Sequence, residues 1–170
     1  MGLLTFSVNL TLEGCVDHRE GIADDETHAF FTRLMDDSGD EAASPTIREC
    51  AVTLELKPKY GVSSTRTYFP WTNSDHLTGD LQAGVQALKD ATPAGVLLGS
   101  NTLATELDRL DLIDEYKFLI HPRIAGHGPT LYQGGLPTTQ QLELVSARPL
   151  RCGAVRCTTG ARADSERAPV

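Results

Sequence analysis

The sequence lacks the features that would place it in several common classes of protein. No apolar run approaches the length of a membrane span, and the N-terminal residues carry no basic leader. Its 15 lysines and arginines are outnumbered by 23 acidic residues, and the formal net charge is −8. A nucleic-acid-binding surface would need a basic stripe, and the scattered bases suit an anionic membrane no better. We therefore expect a cytoplasmic protein that binds neither nucleic acid nor membrane.

Metal-binding motifs are also missing. The cysteines show no C-x-x-C spacing, and no histidine lies near enough in sequence to any of them to suggest a zinc site. We expect no metal, and we expect small buried thiols in a reducing compartment. The four cysteines are Cys15, Cys50, Cys152 and Cys157.

The length and composition indicate one globular domain. A chain of 170 residues with 40% hydrophobic residues can bury a core without disulfides or metals. No internal repeat and no linker divides the sequence. We predict a single domain over residues 1–159, followed by a polar and disordered tail over 160–170.

The hydrophobic periodicity predicts alternating strands and helices. Residues 3–12 alternate apolar and polar side chains, which is typical of a strand with one apolar face. Helical spacing follows from about Asp25 to Met35, at 46–56 and at 80–90. The segment 37–45 is polar, contains Gly and Pro, and reads as a loop, whereas Tyr60 to Ser64 reads as a short strand.

Residues 94–121 give the clearest signal. A short apolar run, which we interpret as a buried strand, stops at Gly99-Ser100, a helical pattern begins at once, and a second strand-like run spans Tyr116 to Ile120. Such a strand–turn–helix–strand unit belongs to a parallel sheet, and the helix N-terminus can hold a phosphate. Most turns of this kind bind nothing, however, and the G-x-G-x-x-G fingerprint of a Rossmann site is absent.

The C-terminal third predicts a closing hairpin. Leu142 to Val145 and Ala154 to Thr158 are apolar and strand-like, which fits antiparallel strands added to a parallel sheet. The predicted fold class is therefore α/β, with a mostly parallel sheet flanked by helices.

Five segments together resemble a known family. The segments are LTFSVNLTLEGCVD, KPKYGVSSTR, GVLLGSNTLATEL, LIDEYKFLIHPRIAGHGPTLY and LELVSARPLRCGAV. They resemble, in the same order and over nearly the whole chain, the C-terminal reductase domain of the riboflavin-biosynthesis deaminase/reductase, which has the dihydrofolate-reductase-like fold.

The resemblance implies that NADPH lies across the C-terminal edge of the sheet. In that arrangement the loop after the first strand contacts the nicotinamide. A second segment contacts the adenosine ribose and its 2′-phosphate, and the glycine turn holds the pyrophosphate. Hydroxyls and an arginine suit a phosphate chemically, although any polar strand end would show the same residues. The implied contacts are Val16 and Asp17, then Ser63, Ser64, Thr65 and Arg66, and then Leu98, Gly99, Ser100, Asn101 and Thr102.

The resemblance also implies an acid that binds the substrate ring at the start of the first helix. Asp25 is the candidate, since a carboxyl in a closed cleft has a raised pKa and can support protonation of the substrate. The alternative is that the acids Asp24, Asp25 and Glu26 only cap the helix and interact with its dipole.

The sequence departs from the family between the first and second helices. Family members carry a strand and a Gly-Arg-x-Thr-Tyr-Glu type segment there, whereas residues 37–46 read DSGDEAASPT. The predicted sheet therefore lacks one internal strand or takes one from a second chain. A further departure is Leu98, where the family's pyrophosphate turn often has the first of two glycines.

These observations favour one function and leave a second open. The first is NADPH-dependent reduction of a small pterin-like or pyrimidine-like substrate by hydride transfer, the family reaction being that of 5-amino-6-(5-phosphoribosylamino)uracil reductase in riboflavin biosynthesis. The second is a shortened, non-catalytic paralogue that acts as a binding or scaffold protein. A homodimer is compatible with either, because it would cover an open sheet edge.

Overall fold

The computed structural model describes residues 1–22, 24–35 and 47–161. Over these residues the chain forms helices on both sides of a mixed sheet, as the sequence predicts. The strands are β1 (Leu4–Thr11), β2 (Lys59–Gly61), β3 (Ser74–His76), β4 (Val96–Leu98), β5 (Glu115–His121), β6 (Leu142–Pro149) and β7 (Val155–Ala161). The helices are α1 (Asp25–Met35), α2 (Ile47–Leu56), α3 (Leu81–Ala91) and α4 (Asn101–Arg109), with a 3-10 turn at His18–Glu20.

The main sheet has five strands in the order β4-β1-β5-β7-β6. The internal strand β1 is parallel to its neighbours β4 and β5, while β7 runs antiparallel to β5 and to β6. This confirms a parallel sheet closed by an antiparallel C-terminal hairpin. The carboxyl ends of β1, β4 and β5 lie at one edge, where ligands of open α/β sheets bind.

The alternation in β1 explains where the larger core lies. Leu4 and Phe6 point to one face of the sheet and pack with residues of α3 and α4, including Val85 and Leu107. Phe6 is opposite Tyr116 in β5, and the two rings meet edge to face with centroids 6.4 Å apart. The opposite face of β1 is polar, which agrees with the alternation in the sequence.

A smaller core covers the opposite face of the sheet. Phe30 in α1 packs against Leu119 of β5 and Ala154, which precedes β7. Phe30 and Phe31 contact each other edge to face at 5.0 Å between centroids. The helix α1 is thereby fixed on the side of the sheet opposite to α3 and α4.

The sheet is interrupted beyond β4. Strands β2 and β3 pair only with each other, and no strand of the described residues joins β2 to β4. A cavity of about 520 Å³ runs along the outer edge of β4 and also contacts Tyr60 and Val62 at β2. The segment 37–46, where the family carries its extra strand, lies outside the described residues, as does the predicted loop 37–45.

Three details differ from the sequence predictions. The apolar run before Gly99, interpreted as a buried strand, does form the strand β4, but its Leu97 is 39% exposed because β4 is an edge strand. The strand β3 was not predicted, since Ser74–His76 has no apolar alternation. The strand β7 extends to Ala161, two residues into the predicted tail, and residues 162–170 lie outside the described residues.

None of the helices described here has the length and hydropathy that crossing a membrane requires.

Candidate cofactor site

The turn after β4 is built as a helix cap. Ser100 is the N-cap of α4, and its hydroxyl accepts the N–H of Leu103 at 3.3 Å. The main-chain N–H groups of Asn101 and Thr102, in the first turn of α4, have no carbonyl four residues earlier in the helix to bond. Together with the helix dipole, they make this end of α4 electropositive.

This turn is also open and carries an unpaired polar atom. A Cβ added to Gly99 would meet no atom within 4 Å, so the backbone here is accessible from the outside. The side-chain oxygen Oδ1 of Asn101 is buried and has no hydrogen-bond partner among the described residues. Leu98 contributes only its backbone to the turn, because its side chain is 7% exposed and belongs to the larger core.

The segment after β2 forms a second polar turn. Ser63 Oγ accepts the N–H groups of Thr65 at 3.2 Å and Arg66 at 2.9 Å, and Ser63 O lies 3.0 Å from His76 Nε2. These bonds fix the loop and leave the side chains of Ser64, Thr65 and Arg66 exposed. The Arg66 guanidinium has no ion-pair partner within the described ranges, so it is available for an anion.

The loop after β1 is held by a second loop over residues 128–131. Val16 N–H donates to Pro129 O at 2.9 Å, and Leu131 N–H donates to Gly14 O at the same distance. Cys15, which is 1% exposed, forms an isolated β-bridge with Thr130. The half-buried Val16 is therefore fixed at the carboxyl end of β1.

The carboxylate of Asp17 is already occupied. It caps the 3-10 turn by accepting the N–H of Arg19 at 3.0 Å, and Arg19 Nη2 bonds it at 2.6 Å. These bonds from Arg19 hold the pKa of Asp17 well below its usual range. Asp17 therefore stabilises the loop, and a nicotinamide contact by this residue stays a prediction.

The two aspartates at the start of α1, Asp24 and Asp25, lie in different environments. Asp24 Oδ1 accepts the N–H of Thr27 at 2.8 Å, and Thr27 Oγ1 accepts the N–H of Asp24 at 3.1 Å, so the two residues cap the helix reciprocally. The bonds from Thr27 lower the pKa of Asp24. Asp25 lies in the first turn with its side chain exposed. The structure does not enclose the Asp25 carboxyl, and its role in catalysis stays a prediction.

A buried histidine joins the sheet to the segment before α1. His121, at the end of β5, is 0% exposed. Its Nδ1 accepts the N–H of Ile22 at 3.2 Å, and its Nε2 lies 2.9 Å from Asn9 Oδ1. Burial, and then the nearby charge of Arg123, lower the pKa of His121. The ring is therefore neutral, with its proton on Nε2, and it positions the 21–22 backbone.

The sequence matches the model of a known protein family. The family model of the RibD C-terminal domain matches residues 38–156. The chain belongs to the RibD C-terminal domain family. This confirms the resemblance seen in the sequence and places the chain among the reductase domains of riboflavin biosynthesis. No curated protein matches the sequence.

Solved structures show the same fold at low sequence identity. A riboflavin biosynthesis protein from Shewanella sp. PV-4 superposes with a TM-score of 0.71 at 16% identity, covering 95% of this chain and 99% of that one. Dihydrofolate reductase from Enterococcus faecalis, complexed with NADP(H), gives 0.62 at 13% identity, with 95% and 98% covered. The deaminase/reductase of Thermotoga maritima gives 0.61 at 14% identity, and the chain spans 57% of that protein. Identities this low establish the fold alone.

The residues of this RibD C-terminal domain fit a phosphate-bearing cofactor. An open glycine turn and a helix N-terminus, which presents unpaired N–H donors, lie together at the end of β4. Leu98 and Val62, which directly precede the two polar turns, line the same cavity. Among the described residues, no group of three histidines, cysteines or acids is placed to hold a metal ion.

Sequence reasoning missed one polar cluster near this site. Asp108 is 4% exposed on the buried face of α4, one turn after the buried Ala104. The Tyr116 hydroxyl donates to Asp108 Oδ1, and burial together with the Asp108 carboxyl raises the pKa of Tyr132. The signal in the sequence was an aspartate at a core position of an otherwise apolar helical face.

Proposed function

We propose that this RibD C-terminal domain is an NADPH-dependent reductase of a small pyrimidine- or pterin-like substrate. The family suggests 5-amino-6-(5-phosphoribosylamino)uracil as the substrate class. The observation that carries the proposal is the open turn from Gly99 to Thr102 at the N-terminus of α4. Family membership supports the reaction type.

In this proposal the protein binds and orients, while NADPH supplies the hydride. The N–H groups of Asn101 and Thr102 hold the pyrophosphate, and Arg66 holds the 2′-phosphate by a charge-assisted bond. The backbone at Val16 forms the wall beside the nicotinamide. Because hydride transfer needs two stacked rings and little water, few side chains take part directly.

The proposal is tested by titrating the purified protein with NADPH, followed by cofactor fluorescence. We expect binding in wild type and in Gly99→Ala, because a Cβ fits the open space at this position. Gly99→Asp adds a carboxylate beside the pyrophosphate and should weaken binding by at least about tenfold.

A second variant tests the 2′-phosphate contact. Arg66→Ala should weaken the binding of NADPH by about 10- to 100-fold, the range for one charge-assisted hydrogen bond. The binding of NADH should not change. Arg156→Ala on β7 is a control that removes the same charge in the sheet's antiparallel half. Equal loss for NADPH and NADH in Arg66→Ala would contradict this assignment.

The non-catalytic alternative has its own support. No strand of the described residues joins β4 to β2, and Asp25 is exposed rather than enclosed. A folded wild-type protein that binds no NADPH at millimolar concentration would overturn the reductase and leave the scaffold protein.

We also propose that the chain is a cytoplasmic homodimer. Cys15, Cys152 and Cys157 are free thiols, which suits a reducing compartment. The outer edge of β4 has no partner strand among the described residues, and a second copy would cover it. Sedimentation equilibrium should give twice the chain mass, and a monomer at all concentrations would contradict the dimer.

A further inference from the structure

A polar cluster lies between α4 and β5, on the side of the larger core. Asp108 and Tyr116 are both buried, and the Tyr116 hydroxyl donates to Asp108 Oδ1. Gln140 Oε1 lies 3.2 Å from the same hydroxyl, and Gln140 Nε2 donates to the main-chain oxygen of Asp108 at 3.1 Å. The half-buried Tyr132 interacts electrostatically with the same carboxyl, and burial together with this interaction raises the pKa of Tyr132. Residues of three other chain segments therefore surround Asp108.

Such a carboxyl is costly to bury. Asp108 Oδ2 lacks a partner of good hydrogen-bond geometry among the described residues. Burial raises the pKa of Asp108, while the bonds from Tyr116 and Tyr132 lower it in part. Burial, followed by the bond to Asp108, raises the pKa of both tyrosines, which stay protonated donors. Burying an apolar residue of similar size at this position would cost less than burying the carboxyl.

The cluster fixes a tight turn over residues 132–135. Tyr132 has a φ of 55°, which is unfavourable for a residue with a side chain. Gly135 N–H donates to Tyr132 O at 2.7 Å, and Arg109 Nη2 donates to Gly135 O at 3.2 Å. The carboxyl-terminal end of α4, through Asp108 and Arg109, thus holds this turn.

The same stretch of chain holds the loop after β1. Directly before Tyr132, residues 129–131 bond Gly14 and Val16 through their main chain. Gly128 packs so closely that an added Cβ would lie 3.1 Å from Cys15 Sγ. The N-terminus of α4 carries the pyrophosphate turn, and its other end fixes, through these two contacts, the loop assigned to the nicotinamide.

We propose that Asp108, Tyr116 and Tyr132 form a positioning cluster that sets the pyrophosphate turn relative to the nicotinamide loop. The inference rests on the proposed function, because it assigns the two ends of one dinucleotide to the two ends of this connection. A ligand that spans both ends binds more tightly when their separation is fixed, since the second contact is then intramolecular. The affinity of a ligand that contacts only one end does not depend on that separation.

The test compares a whole ligand with half of it. NADPH spans both ends, whereas 2′,5′-ADP carries only the adenosine half and its phosphates. We expect Asp108→Ala and Tyr132→Phe to weaken the binding of NADPH by about tenfold, which is in the usual range of coupling between sites. The affinity for 2′,5′-ADP should not change. Asp108→Asn keeps the acceptor for Tyr116 and should restore NADPH binding. Asp90→Asn, an exposed acid of α3, is the charge-matched control. Equal weakening of both ligands, or of neither, would overturn the proposal.

Hydrogen exchange without any ligand separates this proposal from the proposed function. We expect the Val16 and Leu131 amides to exchange faster in Tyr132→Phe and Asp108→Ala than in wild type or Asp108→Asn. Unchanged exchange in a folded Tyr132→Phe overturns the cluster's role, even where Asp108→Ala does not fold. Wild type that binds neither NADPH nor 2′,5′-ADP overturns the proposed function, and exchange still decides whether the cluster fixes the loop.

Discussion

At the scale of single residues, Glu13 holds the loop at Ala125 and Gly126. Its carboxylate accepts the N–H groups of Ala125 at 2.5 Å and Gly126 at 2.9 Å. Bonds from Thr11 and then from these N–H groups outweigh desolvation and lower the pKa of Glu13 from 4.5 to about 2.

The Glu13 contact predicts a local effect of pH. Because the pKa is lowered in the folded protein, the contact is at full strength above pH 4.5 and is lost as the pH falls towards about 2. Glu13→Ala should therefore raise the exchange rate of the Ala125 and Gly126 amides at neutral pH. Glu20→Ala, on the neighbouring loop, is the control for a lost carboxylate. Identical exchange in wild type and Glu13→Ala would show that the loop is held by other contacts.

His121 predicts a global effect of pH. Burial lowers its pKa below the ordinary 6.5, so the unfolded state binds more protons just below that pH. Its contribution to stability is complete above pH 6.5 and is lost as the pH falls through the window down to the folded-state pKa. The melting temperature of wild type should fall in this window more steeply than that of His121→Gln. Parallel curves for the two proteins would contradict the assignment.

Residue roles were the part of the site that the sequence predicted least well. The segment 63–66 and the Gly99-Ser100 pair do form turns at the surface, because Ser and Gly have strong local preferences. The sequence could not show that Asp17 bonds Arg19, or that Asp24 rather than Asp25 caps α1. These contacts depend on side-chain geometry, and neighbouring acidic residues have propensities too similar for the sequence to distinguish them. The Asp108 cluster was missed because Tyr116, Tyr132 and Gln140 come from three different segments of the chain.

At the scale of elements, a buried ion pair joins α3 to two strands. Lys89 Nζ lies 2.6 Å from Asp114 Oδ2, with side-chain exposures of 5% and 28%. The same Asp114 oxygen accepts the N–H of Leu4, the first residue of β1, at 2.7 Å. The pair therefore fixes the position of α3 relative to the first residues of β1 and β5.

Removing one partner should be more harmful than removing both. Lys89→Met keeps the apolar stem but leaves the Asp114 charge unpaired, and we expect a loss of about 3 kcal/mol in unfolding free energy. The double variant Lys89→Met/Asp114→Asn should lose less than Lys89→Met alone. Urea unfolding of the single and double variants measures both quantities. A double variant no more stable than Lys89→Met would show that the charge pairing contributes little.

Elements with a strong period were predicted well, and short ones were not. Helices α1, α3 and α4 and strands β1 and β5 bury one regular face, so the pattern of apolar residues determines them. Strands β2 and β3 have three residues each, too few for a period, and Asn73 before β3 has a φ of 54°. Their pairing is decided by contacts such as Phe69 against Gly61, where an added Cβ would lie 2.3 Å from the ring.

At the scale of the whole molecule, the split between the two sheets is the most consequential feature. The sequence correctly indicated the fold class, because five segments match the family in order. The sequence also indicated a gap where the family segment is missing, and a cavity of about 520 Å³ lies between β4 and β2. How far β2 and β3 stand from the main sheet depends on packing across that cavity, which local sequence patterns do not encode.

The internal position of β1 in the sheet also affects how the protein is made. Among the described strands β1 comes first in the chain, yet Thr5 bonds Glu115, a residue 110 positions later. A ribosome that adds about 5–20 residues per second needs roughly 5 to 20 s to supply that partner. During this time the apolar stripe of β1 is exposed on the nascent chain, where chaperones can bind it. The whole main sheet therefore waits for the second half of the chain before it can form.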